Sequence, residues 1–328
     1  MPDATIRDVA RRAQVSVASV SRALNGLAVS EATKARVNHA ALELGYVPHA
    51  GARSLSLART NAIGVVLPDL HGEFFSEIVR GMDREASRRG YLLLLSNLHG
   101  GSDQAAQALR AMRGRVDGLI VMAPHLTSEG LSAALPKGLP SVLINTRDPS
   151  GGLSAIHLDN AAGAQAVVEH LASIGCRRIV HIAGPAENID ARQRSDASRQ
   201  AARRLGVEWT VVNGDFEELS GELAIATLLA SGDSFDAVFA ANDNMAIGAI
   251  QALRAAGRRV PEEVAVAGFD DIPLAGHLGL TTVRVRIAEL GERALAALIA
   301  AMEQGLAVRD ELHAPELIVR STTLGFGQ

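Results

Sequence analysis

The chain is poor in several things, and each scarcity narrows what it can be. Among 328 residues there is one cysteine, Cys176, so no disulfide can form within the chain and a reducing compartment is expected. Aromatic residues make up 3%, so Ala, Leu, Val and Ile must build the core. No apolar run approaches the roughly 18 residues of a membrane-spanning helix. The N-terminus, MPDATIRDVARRAQVS, has no apolar stretch of the kind that secretion signals carry. A soluble cytoplasmic protein with no membrane partner is the expectation. Motifs for enzyme chemistry are missing too. There is no phosphate loop, no HExxH-like metal spacing and no nucleophile elbow. The ten histidines are scattered, and no cofactor or metal is called for.

Apolar residues are abundant, at 48%, enough for a large core. The length suits a small domain plus a large one, or three compact lobes. The net charge of −4 is unevenly spread. Residues 1–60 carry eight Lys/Arg against four Asp/Glu, and the rest carry 24 against 32. A basic head on an acidic body suggests that the head meets a polyanion.

The first sixty residues read as three short helices. Thr5 with Asp8 three positions on resembles a capping box. Ile6, Val9, Ala10 and Ala13 then recur at helical spacing. Ser16 can cap a second helix, Val17 to Leu24, ended by Asn25-Gly26. Ser30 can cap a third that runs to Gly45. Two helices joined by a three-residue turn make a helix-turn-helix, although a plain three-helix core needs the same apolar residues. Gln14 stands at the turn, where a left-handed conformation is required. The outer side of the second helix presents Ser16, Val17, Ala18, Ser19, Ser21, Arg22 and Asn25, with no acid among them. Hydroxyls and Asn can hold phosphates. Arg22 can take a guanine edge, and Val17 and Ala18 can touch thymine methyls. Capping and solvation are the competing readings. The segment Pro48 to Leu57 is too short for a stable isolated helix, and Gly51 weakens it further. It would be a linker that becomes helical only when docked, with Leu55 and Leu57 seeking an apolar partner or a minor-groove base step.

From Asn61 onward the texture is strand and helix in alternation. Strands are expected at Ile63–Leu67, Tyr91–Ser96, Gly118–Met122, Ser141–Asn145, Ile156–Asp159, Arg178–Ala183, Thr210–Asn213, Ala237–Ala240 and Val264–Gly268. This α/β pattern predicts two doubly wound parallel sheets. Ligands in such folds sit beyond the carboxyl ends of strands. Residues placed there are Asp69, Asn145, Asn242-Asp243 and Asp270-Asp271, with Arg192, Arg194, Phe74, Phe75 and Phe216 in comparable places. Acids, an amide, a guanidinium and flat apolar faces together suit a polyhydroxylated ligand. A helix N-cap is the alternative for each acid. An enzyme using Asp243, Asp270, Asp271 and His277 is a rival reading. A solute-binding transport protein is another, although it would carry a secretion signal and no basic head.

Three N-terminal stretches carry a resemblance: TIRDVARRAQVSVASVSRALN, VSEATKARV and ALELGYVPHAGARSL. In the body IGVVLPDLHGEFF, RVDGLIVMAP, HLDNAAGA, GDFEELSG, FAANDNMAIGAI, VAVAGFDDIPLA and LTTVRVRIAELG extend it in order. Together they resemble the lac repressor family (LacI/GalR) of transcriptional regulators over essentially the whole chain. The resemblance implies a helix-turn-helix head at 1–46, a hinge helix at 47–60 and an effector-binding and dimerisation domain of periplasmic-binding-protein type at 61–328. The N-lobe would be about 61–159 plus 286–317, and the C-lobe about 160–285 plus 318–328. It implies base reading by Val17, Ala18 and Arg22 and phosphate contacts by Ser16, Ser19, Ser21 and Asn25, with Thr5 and Arg53 also on the DNA side. Leu55 would be the hinge leucine that wedges into a palindromic operator. Asp69, Phe74, Phe75, Asn145, Arg192, Arg194, Phe216, Asn242 and Asp270 would line the effector cleft, with Phe216 stacking on a sugar or base. Partners implied are double-stranded operator DNA, a small-molecule effector and a second copy of the chain. With no leucine-heptad tail after Gly325, a dimer rather than a tetramer is expected. A sugar or polyol is the expected effector, and a nucleoside or purine the alternative. Two departures stand out. Ser195-Asp196-Ala197-Ser198 follows Arg194 where the family has a glycine and an aromatic, and Gly51 replaces a larger hinge residue.

Overall fold

The computed structural model describes residues 4–47, 59–98, 102–146, 153–305 and 310–327. The hinge positions Gly51, Arg53, Leu55 and Leu57 lie outside them. The chain divides into two compact units, residues 1–62 with 114–117, and the remainder.

In the first unit the predicted helices form as α1 (Ile6–Ala13), α2 (Val17–Leu24) and α3 (Glu31–Leu44). Val9, Ala10, Ala13, Val20, Ala23, Val37 and Ala40 make their shared core. The small alanines let the helices approach closely. The start of α1 is fixed by Asp8, whose Oδ2 accepts from Thr5 N–H at 3.0 Å and from Thr5 Oγ1 at 2.6 Å. Gln14 adopts φ 53°, ψ 46°, the left-handed turn required there. The same unit holds a carboxylate clamp. Asp117 accepts from Thr60 N–H (2.7 Å), Thr60 Oγ1 (2.9 Å) and Asn61 N–H (2.8 Å).

The second unit is built on two parallel sheets. The first has the order β2-β1-β3-β4-β5-β11, formed by β1 (Ala62–Leu67), β2 (Leu92–Asn97), β3 (Gly118–Met122), β4 (Ser141–Ile144), β5 (Ser154–Leu158) and β11 (Glu311–His313). The second has the order β7-β6-β8-β9, from β6 (Arg178–Ala183), β7 (Glu208–Asn213), β8 (Ala237–Ala240) and β9 (Ala265–Ala267). β1, β3, β4, β8 and β9 are almost wholly buried, as strands covered on both faces must be. The helices of the first lobe are α4 (Gly72–Arg89), α5 (Ser102–Met112), α6 (Ser128–Ala134) and α12 (Ile287–Gln304). Those of the second are α7 (Asn160–Ser173), α8 (Ile189–Leu205), α9 (Glu218–Ser231), α10 (Asp243–Ala255) and α11 (Pro273–Leu278).

β10 (Thr282–Arg284) and β12 (Glu316–Ile318) pair antiparallel. Bridges Ala267–Thr281 and Asp270–Arg284 tie β10 to the second sheet. The chain therefore changes lobe three times, after β5, between β10 and α12, and between β11 and β12. No periodicity marks β10, β11 and β12, which are three residues each and hold no full apolar period.

Each lobe is locked by a glycine-mediated helix crossing. A Cβ on Gly81 of α4 would stand 1.9 Å from the Ala288 carbonyl oxygen of α12, and one on Gly291 2.2 Å from that of Ile78. Gly221 and Gly248 play the same part between α9 and α10, facing Met245 O at 2.1 Å and Glu218 O at 2.0 Å. Backbone can lie against backbone only because no side chain intervenes.

Candidate effector cleft and DNA-reading helix

A cleft opens between the two lobes at the carboxyl ends of both sheets. Pro68, His71 and Gly72 reach it from the β1–α4 turn, and Phe74 and Phe75 from the first turn of α4. Met122 ends β3, Pro124 follows it, and Asn145 follows β4. The second lobe supplies Asn188, Asp190 and Arg194 from the start of α8, Phe216 and Glu217 after β7, Asn242 and Asn244 after β8, and Asp270 after β9. Beside the cleft, Leu274 N–H donates to Glu73 Oε2 at 2.9 Å and Ile189 N–H to Pro124 O at 3.0 Å, joining the lobes.

Of the nine predicted cleft residues, seven line it: Phe74, Phe75, Asn145, Arg194, Phe216, Asn242 and Asp270. Asp69 and Arg192 do not. Asp69 Oδ1 accepts from the N–H groups of Leu70 (2.6 Å) and His71 (3.0 Å), the local turn-capping alternative weighed for it. Arg192 is exposed, and its Nη1 donates to the carbonyls of Ala186 and Glu187, both at 2.9 Å. Asn188, Asp190, Glu217 and Asn244 are cleft residues that the strand-end rule passed over. Asp190 lies inside the first turn of a helix rather than directly after a strand, so only its helical phase, four residues before Arg194, could have marked it.

The aromatic wall is held in place by backbone geometry. Phe74 and Phe75 meet edge to face, with centroids 5.3 Å apart. Phe216 has φ +75°, an uncommon value for a bulky side chain. Asn242 fixes it there, donating from Nδ2 to Phe216 O at 2.8 Å. Asn242 also caps α10, its Oδ1 accepting from Met245 N–H at 3.0 Å. Asn242 therefore both caps a helix and lines the cleft. A Cβ on Gly184 would lie 2.4 Å from the Phe216 ring, so the glycine is the space the ring occupies. Asn145 (φ 48°) and Asp270 (φ 115°) are also left-handed, so three strained non-glycine residues share one cleft.

Below the aromatics lies a buried polar cluster. Arg194 is 4% exposed. Its Nε donates to Asn160 Oδ1 at 2.8 Å and its Nη1 to Ala241 O at 2.6 Å. Its guanidinium stands 3.7 Å from the centroid of Phe269. Asn160 Nδ2 donates to Asp190 Oδ1 at 2.7 Å, and Asn145 Nδ2 lies 3.5 Å from Asp190 Oδ2. Asp270 Oδ1 sits 3.3 Å from Arg194 Nη1, yet no aligned hydrogen-bond donor reaches it. Burial pushes the Asp270 carboxyl up to about 7 despite the neighbouring guanidinium, and raises Asp190 in the same way. Behind them burial raises Asp243 too, which accepts from Thr282 Oγ1 (2.5 Å) and Ile272 N–H (3.0 Å).

Asp271 is bound by Arg284 and Arg320, both at 2.6 Å, and His277 is exposed on α11. None of Ser195, Asp196, Ala197 and Ser198 is among the residues that line the cleft. Ala197 and Ser198 are buried on the core side of α8, and Ser198 Oγ donates to Arg194 O at 2.7 Å. Among the described residues no group of three or more His, Cys, Asp or Glu could hold a metal, and no helix is long and apolar enough to cross a membrane.

In the head, α2 presents Ser16, Val17, Ala18 and Arg22 to solvent, with Ser19, Ser21 and Asn25 half-buried beside them. Val17 is 43% exposed, unusual for valine in a small core. Ser16 Oγ accepts from Ser19 N–H at 3.1 Å as the helix cap, and Asn25 Nδ2 lies 3.4 Å from Ser21 Oγ. Thr5 is occupied by the Asp8 clasp and is exposed. An exposed face of small side chains and one arginine, free of acids, can enter a groove of DNA.

Residues 5–49 match the model of bacterial regulatory proteins of the lacI family, and residues 168–323 that of the periplasmic binding protein-like domain. The chain is 38% identical over 305 residues to the ribose operon repressor of Escherichia coli K12, covering 90% of this chain and 92% of that one. The chain belongs to the lacI family. The same organism's HTH-type transcriptional repressor CytR is 34% identical over 328 residues, covering 98% and 96%. Among solved structures, the lac repressor dimer bound to operator and the anti-inducer ONPF superposes with a TM-score of 0.89 at 29% identity, covering 98% of this chain and 99% of that one. This lacI-family chain is a ligand-responsive, DNA-binding transcriptional repressor.

Proposed function

We propose that this regulator is a cytoplasmic, non-enzymatic homodimer that holds a palindromic operator and is controlled by a sugar or polyol, a pentose first among them, bound between the lobes. The observation that carries the reading is the convergence of Phe74, Phe75 and Phe216 with Asn145, Arg194, Asn242 and Asp270 in one cleft. Flat apolar faces can cover a sugar ring while acids, amides and a guanidinium take its hydroxyls. The likeness to ribose operon repressors supports a pentose. Phe216, held open to the cleft, favours a nucleoside as the second reading, since its ring would stack on a base as well as on a sugar. Two α2 helices, one per protomer, would enter major grooves one helical turn apart, Arg22 with Val17 and Ala18 touching bases and Ser16, Ser19, Ser21, Asn25 and Thr5 touching the backbone. Arg53 and Leu55 would act in the hinge. The division proposed is a head at 1–46, a hinge at 47–60 and a two-lobed body at 61–328.

The test is fluorescence anisotropy of the full chain on an operator selected from a random pool, titrated with D-ribose, other sugars and polyols, and cytidine. A ligand shifts DNA affinity only by its differential affinity for the two states. A change of several-fold or more with a sugar supports the first reading, and with cytidine alone the second. Loss of affinity marks an inducer and gain a corepressor. An affinity indifferent to every one of these ligands overturns both readings.

A further inference from the structure

We infer that the cleft selects an uncharged ligand and rejects its phosphorylated or carboxylate forms, with Asp190 and Asp270 as the residues that impose the choice. The inference rests on the reading of a ribosyl or sugar ligand given above and concerns which chemical form of it is bound.

The charges facing the cleft decide this. Two carboxylates, Asp190 and Asp270, are each 6% exposed and line its floor. Glu217 adds a third at the exposed rim. Among the described residues one buried guanidinium stands against them, Arg194, whose Nε and Nη1 already donate to Asn160 and Ala241 and whose charge faces Asp270 at 3.3 Å. Arg192, which the sequence also places near the cleft, is turned outward onto two loop carbonyls. His71 also lines the cleft, but from an exposed position. The first turns of α8 and α10, which could bind an anion, are closed by Asn188 and Asn242. Glu73 occupies the first turn of α4.

Asp270 lines the cleft, and its buried Oδ1 has no aligned donor, only the Arg194 guanidinium 3.3 Å away. A carboxylate at a cleft wall can accept from a ligand hydroxyl. Above about pH 7, where Asp270 is ionised, a phosphate or carboxylate group adds acceptors and negative charge to a floor whose described residues set two acids against one cation. A buried charge left unpaired is strongly unfavourable.

The experiment is isothermal titration of the wild-type full chain with three matched sets: D-ribose, D-ribose 5-phosphate and D-ribonate; cytidine and cytidine 5′-monophosphate; inorganic phosphate alone. The expected result is binding of D-ribose or cytidine, with its anionic partners weaker by on the order of 100-fold or more. An anionic form that binds as tightly as its neutral partner, or tighter, overturns the charge selection and leaves the ribosyl reading standing. No binding by any member overturns the ribosyl reading and this inference with it. Asp270→Asn, or Asp190→Asn if the former does not fold by its melting curve, should narrow the ratio of neutral to phosphorylated affinity at least tenfold. An unchanged ratio would remove these acids as its cause.

Discussion

Gly184 and Phe216 are a pair in which the small residue sets the position of the large one. A methyl group at 184 would overlap the ring, 2.4 Å from its Cζ. Gly184→Ala should therefore displace Phe216 and weaken effector binding by tenfold or more while the melting temperature without ligand falls only slightly. Calorimetry of the two proteins with the same ligand checks it. Two buried groups set opposite pH limbs of stability. His181 is fully buried between Trp209 and Phe239, and burial pushes it down to about 4. The folded chain then binds its proton less readily than the unfolded chain, so the stability present above about pH 6.5 is lost as pH falls toward 4. The loss is about 3 kcal/mol at the acid end. Asp270 runs the other way. Its folded value of about 7 exceeds the ordinary 3.8, so stability is full below 3.8 and declines as pH rises through 7, by up to about 4 kcal/mol. His181→Leu should flatten the acid limb of a melting-temperature profile, and Asp270→Asn the neutral limb of the ligand-free protein. Profiles parallel to wild type would refute both assignments. Asp270, just after β9, lines the cleft as its place at a strand end suggests. Asp69 and Arg192 lie outside the cleft lining, since a carboxylate can satisfy its own turn and a long guanidinium can reach back to loop carbonyls.

Helices in this chain are placed by what they lack at their crossings as much as by apolar stripes. In α4 the 3.6-residue pattern marks Ile78, Met82 and Ala86 as inward, and all three are buried. It does not say that Gly81 meets Ala288, because that contact spans over two hundred residues. Gly81→Ala must push α4 from α12 against a carbonyl oxygen that cannot yield, at a loss on the order of 1–3 kcal/mol, read by chemical denaturation. In the head, Gln14 holds a left-handed turn that glycine adopts more easily. Gln14→Gly should stabilise the head by a few tenths to about 1 kcal/mol, the steric gain being partly offset by the freedom glycine adds to the unfolded chain. Hydrogen-exchange protection of α1 and α2 measures it. No gain would mean that the glutamine side chain supports the turn in a way its backbone angles do not reveal.

As a whole molecule the regulator couples a reading head to a cleft. Arg22 carries the prediction at this scale. Replaced by alanine, it should lose about 1–3 kcal/mol of discrimination between a selected operator and a scrambled one. Uniform weakening on both DNAs, with a shallower salt dependence, would make Arg22 a phosphate contact instead. Local order alone set the three head helices with their caps, the strand-helix alternation, and the burial of central strands, because these depend on residues within a few positions of one another. The run of family-like segments was legible for the same reason. Tertiary structure alone decided which strand-end residues face the cleft, that Asp190 joins them, and that Asp243 and Asp271 are held apart from it. It also formed β10, β11 and β12, whose pairing comes from distant partners rather than their own three residues. The physical reason is that hydrogen-bond satisfaction of a buried polar group depends on whichever chain segment packs beside it, and sequence spacing does not contain that neighbour.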